Sequence, residues 1–196
     1  MWIENCVIDC NTKLNCIAWV PSSDGYREYF EISKNKYDDY EEIETPDCYD
    51  DLKDGDTVKL LVKVHDDGSY GYYGYFAESM DITGSTDLQS VYDSYKSFCK
   101  PIDYTAVLRN PKKEYKKLCV VKGTIFYVYE DSSSGQEFLL QTEDGYVCVK
   151  YKSTSEERFI EGDNLNVYGY TDSALTDSYA QIDKVPLVWS RCIELN

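Results

Sequence analysis

Histidine, glycine-rich loops and long apolar runs are nearly absent from this sequence. The 196 residues include a single histidine. A nucleophilic triad that uses histidine as its base, or a zinc site with several histidine ligands, is therefore disfavoured. No phosphate-binding loop with its lysine is present. No uninterrupted apolar stretch approaches the roughly 20 residues that a membrane-spanning helix needs. The sequence therefore predicts a protein that is not an enzyme, binds no cofactor or metal and does not enter a membrane.

The amino terminus also lacks the features of a secretory signal. The stretch "MWIENCVIDC" has neither a basic n-region nor an apolar h-region. We therefore expect a cytoplasmic protein, residing in the host cytoplasm if a phage encodes it. An extracytoplasmic location would require that a leader had been removed.

Basic residues are scarce and unevenly placed. The chain has 20 Lys and Arg against 36 Asp and Glu, a net charge of −16. Residues 1–98 hold 8 basic and 21 acidic residues (8 − 21 = −13), which leaves 12 and 15 (12 − 15 = −3) for residues 99–196. A polyanion repels nucleic-acid phosphates, so direct nucleic-acid binding is disfavoured. Most of the acidity belongs to the first half.

The eight cysteines are expected to be reduced structural thiols. Cys16, Cys119 and Cys148 lie in strand-like segments, where a cysteine packs as a small apolar residue. Disulfides and zinc are the alternatives. The pair Cys6 and Cys10 is spaced CxxxC rather than CxxC, which disfavours zinc.

Alternating apolar residues and Gly- or Asp-rich turns predict a strand-dominated chain whose halves repeat one pattern. "DLKDGDTVKLLVKV" aligns with "FIEGDNLNVYGYT", and "DGYREYFEI" aligns with "SGQEFLLQT". The shared Gly-Asp is interpreted as a turn before a core strand, without chemistry. We predict an acidic barrel over residues 1–84, a helical connector over 85–98 and a second barrel over 99–196.

A resemblance to a known family covers residues 99–196. It rests on "CKPIDYTAVLRNPKKEYKKLCVVKGTIFYVYED" followed by "FIEGDNLNVYGY". This pattern resembles oligonucleotide/oligosaccharide-binding (OB-fold) domains of Gram-positive bacterial and mobile-element proteins. The matching residues are Ile102, Tyr104, Leu108, Arg109, Asn110, Pro111, Tyr115, Gly123, Glu161, Gly162, Asp163 and Gly169. The resemblance implies a five-stranded Greek-key barrel for this half, and the internal repeat extends that expectation to the first half. The predicted fold class is therefore all-β with minor helix, built as tandem five-stranded OB-like Greek-key barrels with short connecting helices.

The acidic segment, residues 37–51, reads "YDDYEEIETPDCYDD". Its second-half counterpart is the milder "YKSTSEER", so the barrel itself does not require the acids. A solvated loop is one interpretation. The sharper hypothesis is a nucleic-acid mimic: an inhibitor that docks on a basic, nucleic-acid-binding partner protein, as in phage counter-defence. The predicted partner-binding residues are Asp38, Asp39, Glu41, Glu42, Glu44, Asp47, Asp50, Asp51, Tyr37, Tyr40 and Tyr49.

Two alternatives use the second barrel instead. One is a ligand-binding OB module of a bacterial surface or envelope protein, and the other is a binder of single-stranded nucleic acid through lysines and stacking rings. The ligand-binding module would use the aromatic face, which comprises Phe126, Tyr127 and Tyr129. Single-strand binding would use the lysine patch, which comprises Lys112, Lys113, Lys116, Lys117 and Lys122 with Tyr115.

Overall fold

The computed structural model describes the chain except for residues 11–14, 34–36, 39–40, 43–50, 67–72, 133–134, 153–157 and 178–181. It divides into two compact units, Met1–Tyr95 and Lys96–Asn196. The helix α1 (Leu88–Phe98) runs through this division. Each unit is built mainly from antiparallel strands around its own apolar core.

The first unit is a five-stranded sheet with a small separate hairpin. The sheet order is β3-β2-β1-β6-β7, and every neighbouring pair is antiparallel. Its edge strands β3 and β7 approach each other to within 8 Å between Cα atoms. The strands are β1 (Trp2–Asp9), β2 (Asn15–Ser22), β3 (Gly25–Ser33), β4 (Tyr37–Asp38), β5 (Glu41–Glu42), β6 (Asp56–Asp66) and β7 (Tyr73–Ser85).

One large aromatic side chain organises the outer side of this sheet. Trp19 is fully buried, and its ring lies 5.1 Å from that of Tyr29 and 5.0 Å from that of Tyr95 on α1. Its indole nitrogen donates to Asp9, which also accepts from the Tyr92 hydroxyl at 2.8 Å. Asp9 is 1% exposed, and a carboxylate buried this deeply needs such donors to offset its lost hydration. The network therefore fixes α1 against β1 and β2.

The second unit is a closed barrel. Its strands follow the circular order β9-β10-β11-β13-β12-β9, with β11 and β13 parallel and the other neighbours antiparallel. This is the OB-like strand order. The elements are β8 (Lys100–Pro101), α2 (Tyr104–Arg109), α3 (Pro111–Glu114), β9 (Leu118–Ser132), β10 (Gly135–Gln141), β11 (Tyr146–Lys152), β12 (Asn164–Asp177) and β13 (Ile182–Leu195).

The predicted fold class is confirmed: the protein is all-β with short helices, and the two units share one strand plan. In the first unit, β1 pairs with β2 and β6, and β6 pairs with β7. In the second unit, β9 pairs with β10 and β12, and β12 pairs with β13. Leaving the small β4–β5 hairpin aside, these are the first, second, fourth and fifth strands of each unit. The helix predicted within residues 85–98 is α1, and α2 and α3 are further short helices. The α2 helix begins where the Asp103 carboxylate accepts from Ala106 N, a cap that satisfies one of the first-turn amides.

The predicted internal repeat is correct at the Gly-Asp turns, but its other aligned segments belong to strands that do not correspond. Gly55 and Gly162 both have positive φ, 84° and 94°, and the aspartate after each accepts from the amide three residues earlier. These residues shape turns, as predicted. The alignment of "DGYREYFEI" with "SGQEFLLQT" is wrong, because an unpredicted first strand, β1, shifts the register by one element. By its pairing, β3 corresponds to β11 rather than to β10.

The described cysteines are thiols; Cys48 lies outside the described residues. Cys16, Cys119 and Cys148 are 0%, 3% and 2% exposed, so they pack in the interior as expected. Burial raises the pKa of Cys119 to about 12, which keeps this thiol protonated at neutral pH. Among the described helices, none combines the length and hydropathy required to cross a membrane.

Gly169 allows β12 and β13 to approach each other closely at a bulge in their pairing. A Cβ placed there would lie 2.8 Å from the carbonyl carbon of Trp189 and closer still to its oxygen. We expect Gly169→Ala to lower the free energy of unfolding by about 1–3 kcal/mol, because the two backbones must separate. The measurement is urea denaturation of the full chain followed by circular dichroism.

Gly84→Ala is the control for this prediction. Gly84 also lies in a strand, and a Cβ there has nothing within 4 Å. The Gly84 variant should unfold at nearly the wild-type urea concentration. Equal destabilisation by both substitutions would contradict the close-approach explanation.

A second interaction ties residue 96 to the last strand of the second unit. Lys96 Nζ lies 2.8 Å from a carboxylate oxygen of Glu194, and the Tyr168 hydroxyl donates to the other oxygen at 3.0 Å. The hydrogen bond from Lys96, supplemented by that from Tyr168, lowers the pKa of Glu194 below 4.5. The Glu194 carboxylate therefore contributes stability when it is ionised.

Lys96→Met should remove this contribution in a pH-dependent way. A lowered folded-state pKa gives stability that is present above the unfolded pKa and lost as pH falls through the folded value. We expect a loss of up to about 1 kcal/mol at pH 7, since the pair is partly exposed, and a loss that shrinks below pH 4.5. Denaturation at pH 7 and pH 3 measures it. Lys100→Met, which removes an exposed lysine, should show no such change with pH.

Candidate partner-binding surfaces

The acidic segment contains a hairpin in its described part. Strands β4 and β5 pair antiparallel, with Tyr37 opposite Glu42 and Asp38 opposite Glu41. Asp51, at the other end of the segment, is exposed. The remaining predicted partner-binding residues lie outside the described residues: Asp39, Tyr40, Glu44, Asp47, Tyr49 and Asp50. The structure thus describes two parts of the acidic segment, the β4–β5 hairpin and the carboxyl end at Asp51.

The carboxyl end is anchored in the core of the first unit. Leu52, directly after the acidic segment, is 8% exposed and packs among the core residues. Asp54 accepts from Cys10 N at 2.6 Å, and Gly55 N donates to Ile8 O at 2.8 Å. Asp51, the last acid of the segment, is therefore followed directly by a residue that is fixed in the core of the first unit.

Further carboxylates lie on the described surface of the first unit. Glu28, Asp81 and Asp87 are exposed, whereas Glu4 is paired with Lys59 and Asp24 with Arg27. The Ser22 hydroxyl holds the pKa of the Asp24 carboxyl below its usual value. The acidic residues on the described surface of the first unit therefore add to the negative charge of the acidic segment.

The lysine patch of the second unit is divided between different structures. Lys112 and Lys113 are exposed on α3, and Lys117 is paired with Glu114 at 2.7 Å. Lys116 has φ of 58° and lies with its ammonium 5.5 Å from the Tyr115 ring centre. Lys122 lies on β9, in a different surface feature. The sequence predicted one patch because these residues are close along the chain.

The aromatic face is formed by bulges in β9. The ladder with β10 shifts register twice, between Glu137 and Phe138 and between Leu139 and Leu140. Phe126 is 50% exposed and Tyr127 is 45% exposed, because a bulge turns adjacent side chains toward one side of a strand. Tyr127 packs against Tyr129 with ring centres 5.1 Å apart, and Phe126 packs against Tyr146 at 5.2 Å.

Apolar residues on the outer side of the barrel support this face. Leu139, Cys148, Val185 and Leu187 form a buried cluster separate from the barrel core, and Tyr129 packs against it. This cluster was not predicted from the sequence. Its signal is the unbroken apolar run "FLL" in β10, where both faces of the strand are apolar.

A polar groove of about 760 Å³ lies on the second unit where β9 changes partners. Lys100 and Pro101 of β8 pair with Cys119 and Val120, whereas the β10 pairing starts at Thr124. Six of its lining residues carry amides or hydroxyls, namely Thr124, Gln141, Thr142, Asn164, Asn166 and Asn196, and three carry charges, namely Lys122, Glu143 and Asp144. Several of these groups bind each other: Thr124 donates to Asn164 and Asn166 donates to Asn196.

Metal-binding clusters are absent from the part of the chain that the structure describes. The one histidine, His65, lies near the end of β6, paired with Gly74 of β7.

Comparisons with known proteins give only distant likenesses. No protein-family model and no curated protein matches the sequence. The p204 HINb domain has a TM-score of 0.45 at 8% identity, covering 99% of this chain and 96% of that chain. The Ifi202 HINa domain in complex with 20bp dsDNA has 0.42 at 10%, covering 100% and 95%. A structure described as "Structural mimicry for functional antagonism" has 0.45 at 9%, covering 99% and 92%.

These likenesses are too distant to place the chain in a family or to assign it a ligand. The OB-like order of the second unit rests on its own strand pairing. Membership of the Gram-positive and mobile-element family stays a prediction from the quoted motifs.

Proposed function

We propose that this chain is a non-catalytic protein-binding module whose acidic segment occupies a basic, nucleic-acid-binding surface of a partner protein. The observation that carries the proposal is the register of the β4–β5 hairpin, which sets Asp38 opposite Glu41. Like charges at directly opposed positions destabilise an antiparallel pair. A solvated loop needs no such arrangement, whereas a basic partner surface would relieve the repulsion.

Acids are dense along this segment, and two of them, Glu41 and Glu42, are consecutive on β5. Successive positions of a strand face opposite sides, so a run of consecutive acids can offer negative charge on either side. A basic surface that binds phosphates can therefore be occupied by such acids. Tyrosines beside them add the contact area that interfaces favour.

The distribution of charge supports a role confined to the first unit. The unit Met1–Tyr95 contains 21 acidic and 7 basic residues (7 − 21 = −14), and the unit Lys96–Asn196 contains 15 and 13 (13 − 15 = −2). Electrostatic steering acts over about 10 Å at 0.1 M salt, so a partner with a basic groove is drawn to the first unit. Inhibition of a nucleic-acid-handling enzyme, as in phage counter-defence, is the biological setting that we infer.

Reversal of the hairpin charges tests this function. The variant Asp38→Lys, Glu41→Lys and Glu42→Lys should lose affinity for a captured partner on the order of 100-fold, because like charges in an interface cost several kcal/mol. The partner is first isolated from the native host with the wild-type chain at low salt. The measurement is then competition: wild type should displace a fluorescent oligonucleotide from the partner, and the variant should not.

The matched control reverses three exposed acids of the second unit, Glu143, Asp144 and Glu161. It changes the net charge equally and should compete like the wild type. If both triple variants lose competition to the same degree, total charge rather than the acidic segment governs binding. If neither loses it, the proposal is wrong.

A second function, ligand binding by the aromatic face, is favoured by the exposure of Phe126 and Tyr127 on the bulged strand. Stacking of a nucleobase on an aromatic side chain is worth about 1–3 kcal/mol per base. The Phe126→Ala, Tyr127→Ala variant should therefore weaken binding of random single-stranded DNA at low salt by about tenfold or more. Fluorescence titration measures it, with an oligosaccharide series run in parallel.

Trp2→Ala is the control for the aromatic face, since the Trp2 side chain is also about half exposed, at 47%, but lies on β1 of the first unit. It should leave any titration unchanged. Absence of binding by the wild type to both ligand classes would remove this second function.

A further inference from the structure

Two thiols meet at the end of the β1–β2 ladder. The last register pair of this ladder is Asp9 with Ile17, so the next opposed positions are Cys10 and Cys16. Their Sγ atoms lie 3.0 Å apart. Cys16 is fully buried, whereas Cys10 is half-buried and packs at the margin of the first core.

This position suits a disulfide. Opposed residues of an antiparallel pair have Cα atoms about 4.5–5.5 Å apart, which lies within the range of about 4.4–6.8 Å found for disulfides. The S–S bond is about 2.05 Å long, so the two sulfurs must close roughly 1 Å. Side-chain torsion at Cys10, which is beyond the last paired residue of β1, is the obvious source of that movement.

The other described cysteines of the sheet do not compete for Cys16. Cys6 precedes Cys10 by four residues on the same strand, roughly 13 Å away at the usual rise, and it is opposed by Val58. Burial raises the pKa of the Cys6 thiol to about 12, so it is protonated and a poor nucleophile at neutral pH. Cys10 is the member of the group that solvent can reach.

We propose that Cys10 and Cys16 are a redox-active pair that a low-molecular-weight disulfide such as glutathione disulfide converts to an intramolecular disulfide. The Cys10 thiolate attacks one sulfur of glutathione disulfide, which breaks the S–S bond and releases one glutathione. The Cys16 thiolate then attacks the Cys10 sulfur and displaces the second glutathione. Two electrons pass from the protein to the oxidant, and the two thiol protons end on the two glutathione molecules.

The bond has a local structural consequence. The Cys10 thiol donates a weak hydrogen bond to the Leu52 carbonyl oxygen, with 3.8 Å between sulfur and oxygen. Oxidation removes the thiol proton and with it this hydrogen bond. Leu52 directly follows the acidic segment, and its side chain belongs to the same core as Cys16. Oxidation therefore replaces a weak contact to residue 52 with a covalent link between β1 and β2.

Proteolysis can locate this bond because Lys13 lies between the two cysteines. The full-length native chain is incubated with glutathione disulfide, quenched in acid, alkylated, and digested with trypsin. Cleavage after Lys13 and Arg27 should yield one species that joins residues 1–13 to residues 14–27. A second cut before Asp9 separates Cys6 from Cys10, and the linked species should then retain residues 9–13. Dithiothreitol should abolish it.

The variants Cys10→Ser and Cys16→Ser should each lose the linked species completely, whereas the control Cys48→Ser should retain it. If Cys16→Ser fails to fold, Cys10→Ser alone decides, because Cys10 is only partly buried. The proposal is overturned if Cys10 and Cys16 are both still alkylated after oxidation. It is equally overturned if Cys10 is found joined to Cys48 or to a second chain.

Discussion

Both units depend on one turn that ties the fourth strand to the first. Gly55 N donates to Ile8 O at 2.8 Å, and Gly162 N donates to Ile125 O at 2.9 Å. A glycine is needed because the backbone turns through positive φ, and the following aspartate closes the turn through its carboxylate. In each sheet the first strand, β1 or β9, is paired with the fourth strand, β6 or β12, which in turn is paired with the fifth, β7 or β13. A turn that fixes the fourth strand against the first therefore also determines the position of the fifth.

That constraint leaves the connection before the fourth strand free to vary. In the second unit it is "YKSTSEER", and in the first it is enlarged into the acidic segment. A rigid sheet with Leu52 in its core holds the carboxyl end, so acids can be concentrated there without disturbing the barrel. The lysines and aromatic rings of the second unit are instead distributed over α3, β9 and the polar groove, which separates charge from stacking surface.

Local patterns predicted the helices, the Gly-Asp turns and the buried cysteines, because each depends on residues close in sequence. They missed β1, whose alternation is interrupted by Asn5 at φ of 58° and a register shift between Ile3 and Cys6. Of the lysines predicted as one patch, Lys112 and Lys113 lie on α3 and Lys122 lies on β9. The acidic segment was identified from its composition. To this the structure adds the register of the β4–β5 hairpin and the anchoring of the segment's carboxyl end by Leu52.

The sequence by itself determined the charge of each half, the all-β character and the turn residues, since charge and backbone preference belong to individual residues. Only the tertiary structure decided which strands are neighbours: that β3 corresponds to β11, that Asp38 lies opposite Glu41, and that Cys10 meets Cys16. Strand pairing joins residues that are distant along the chain, and a shift of one residue would change every opposed pair. The register is therefore fixed by the packed core and not by any local pattern.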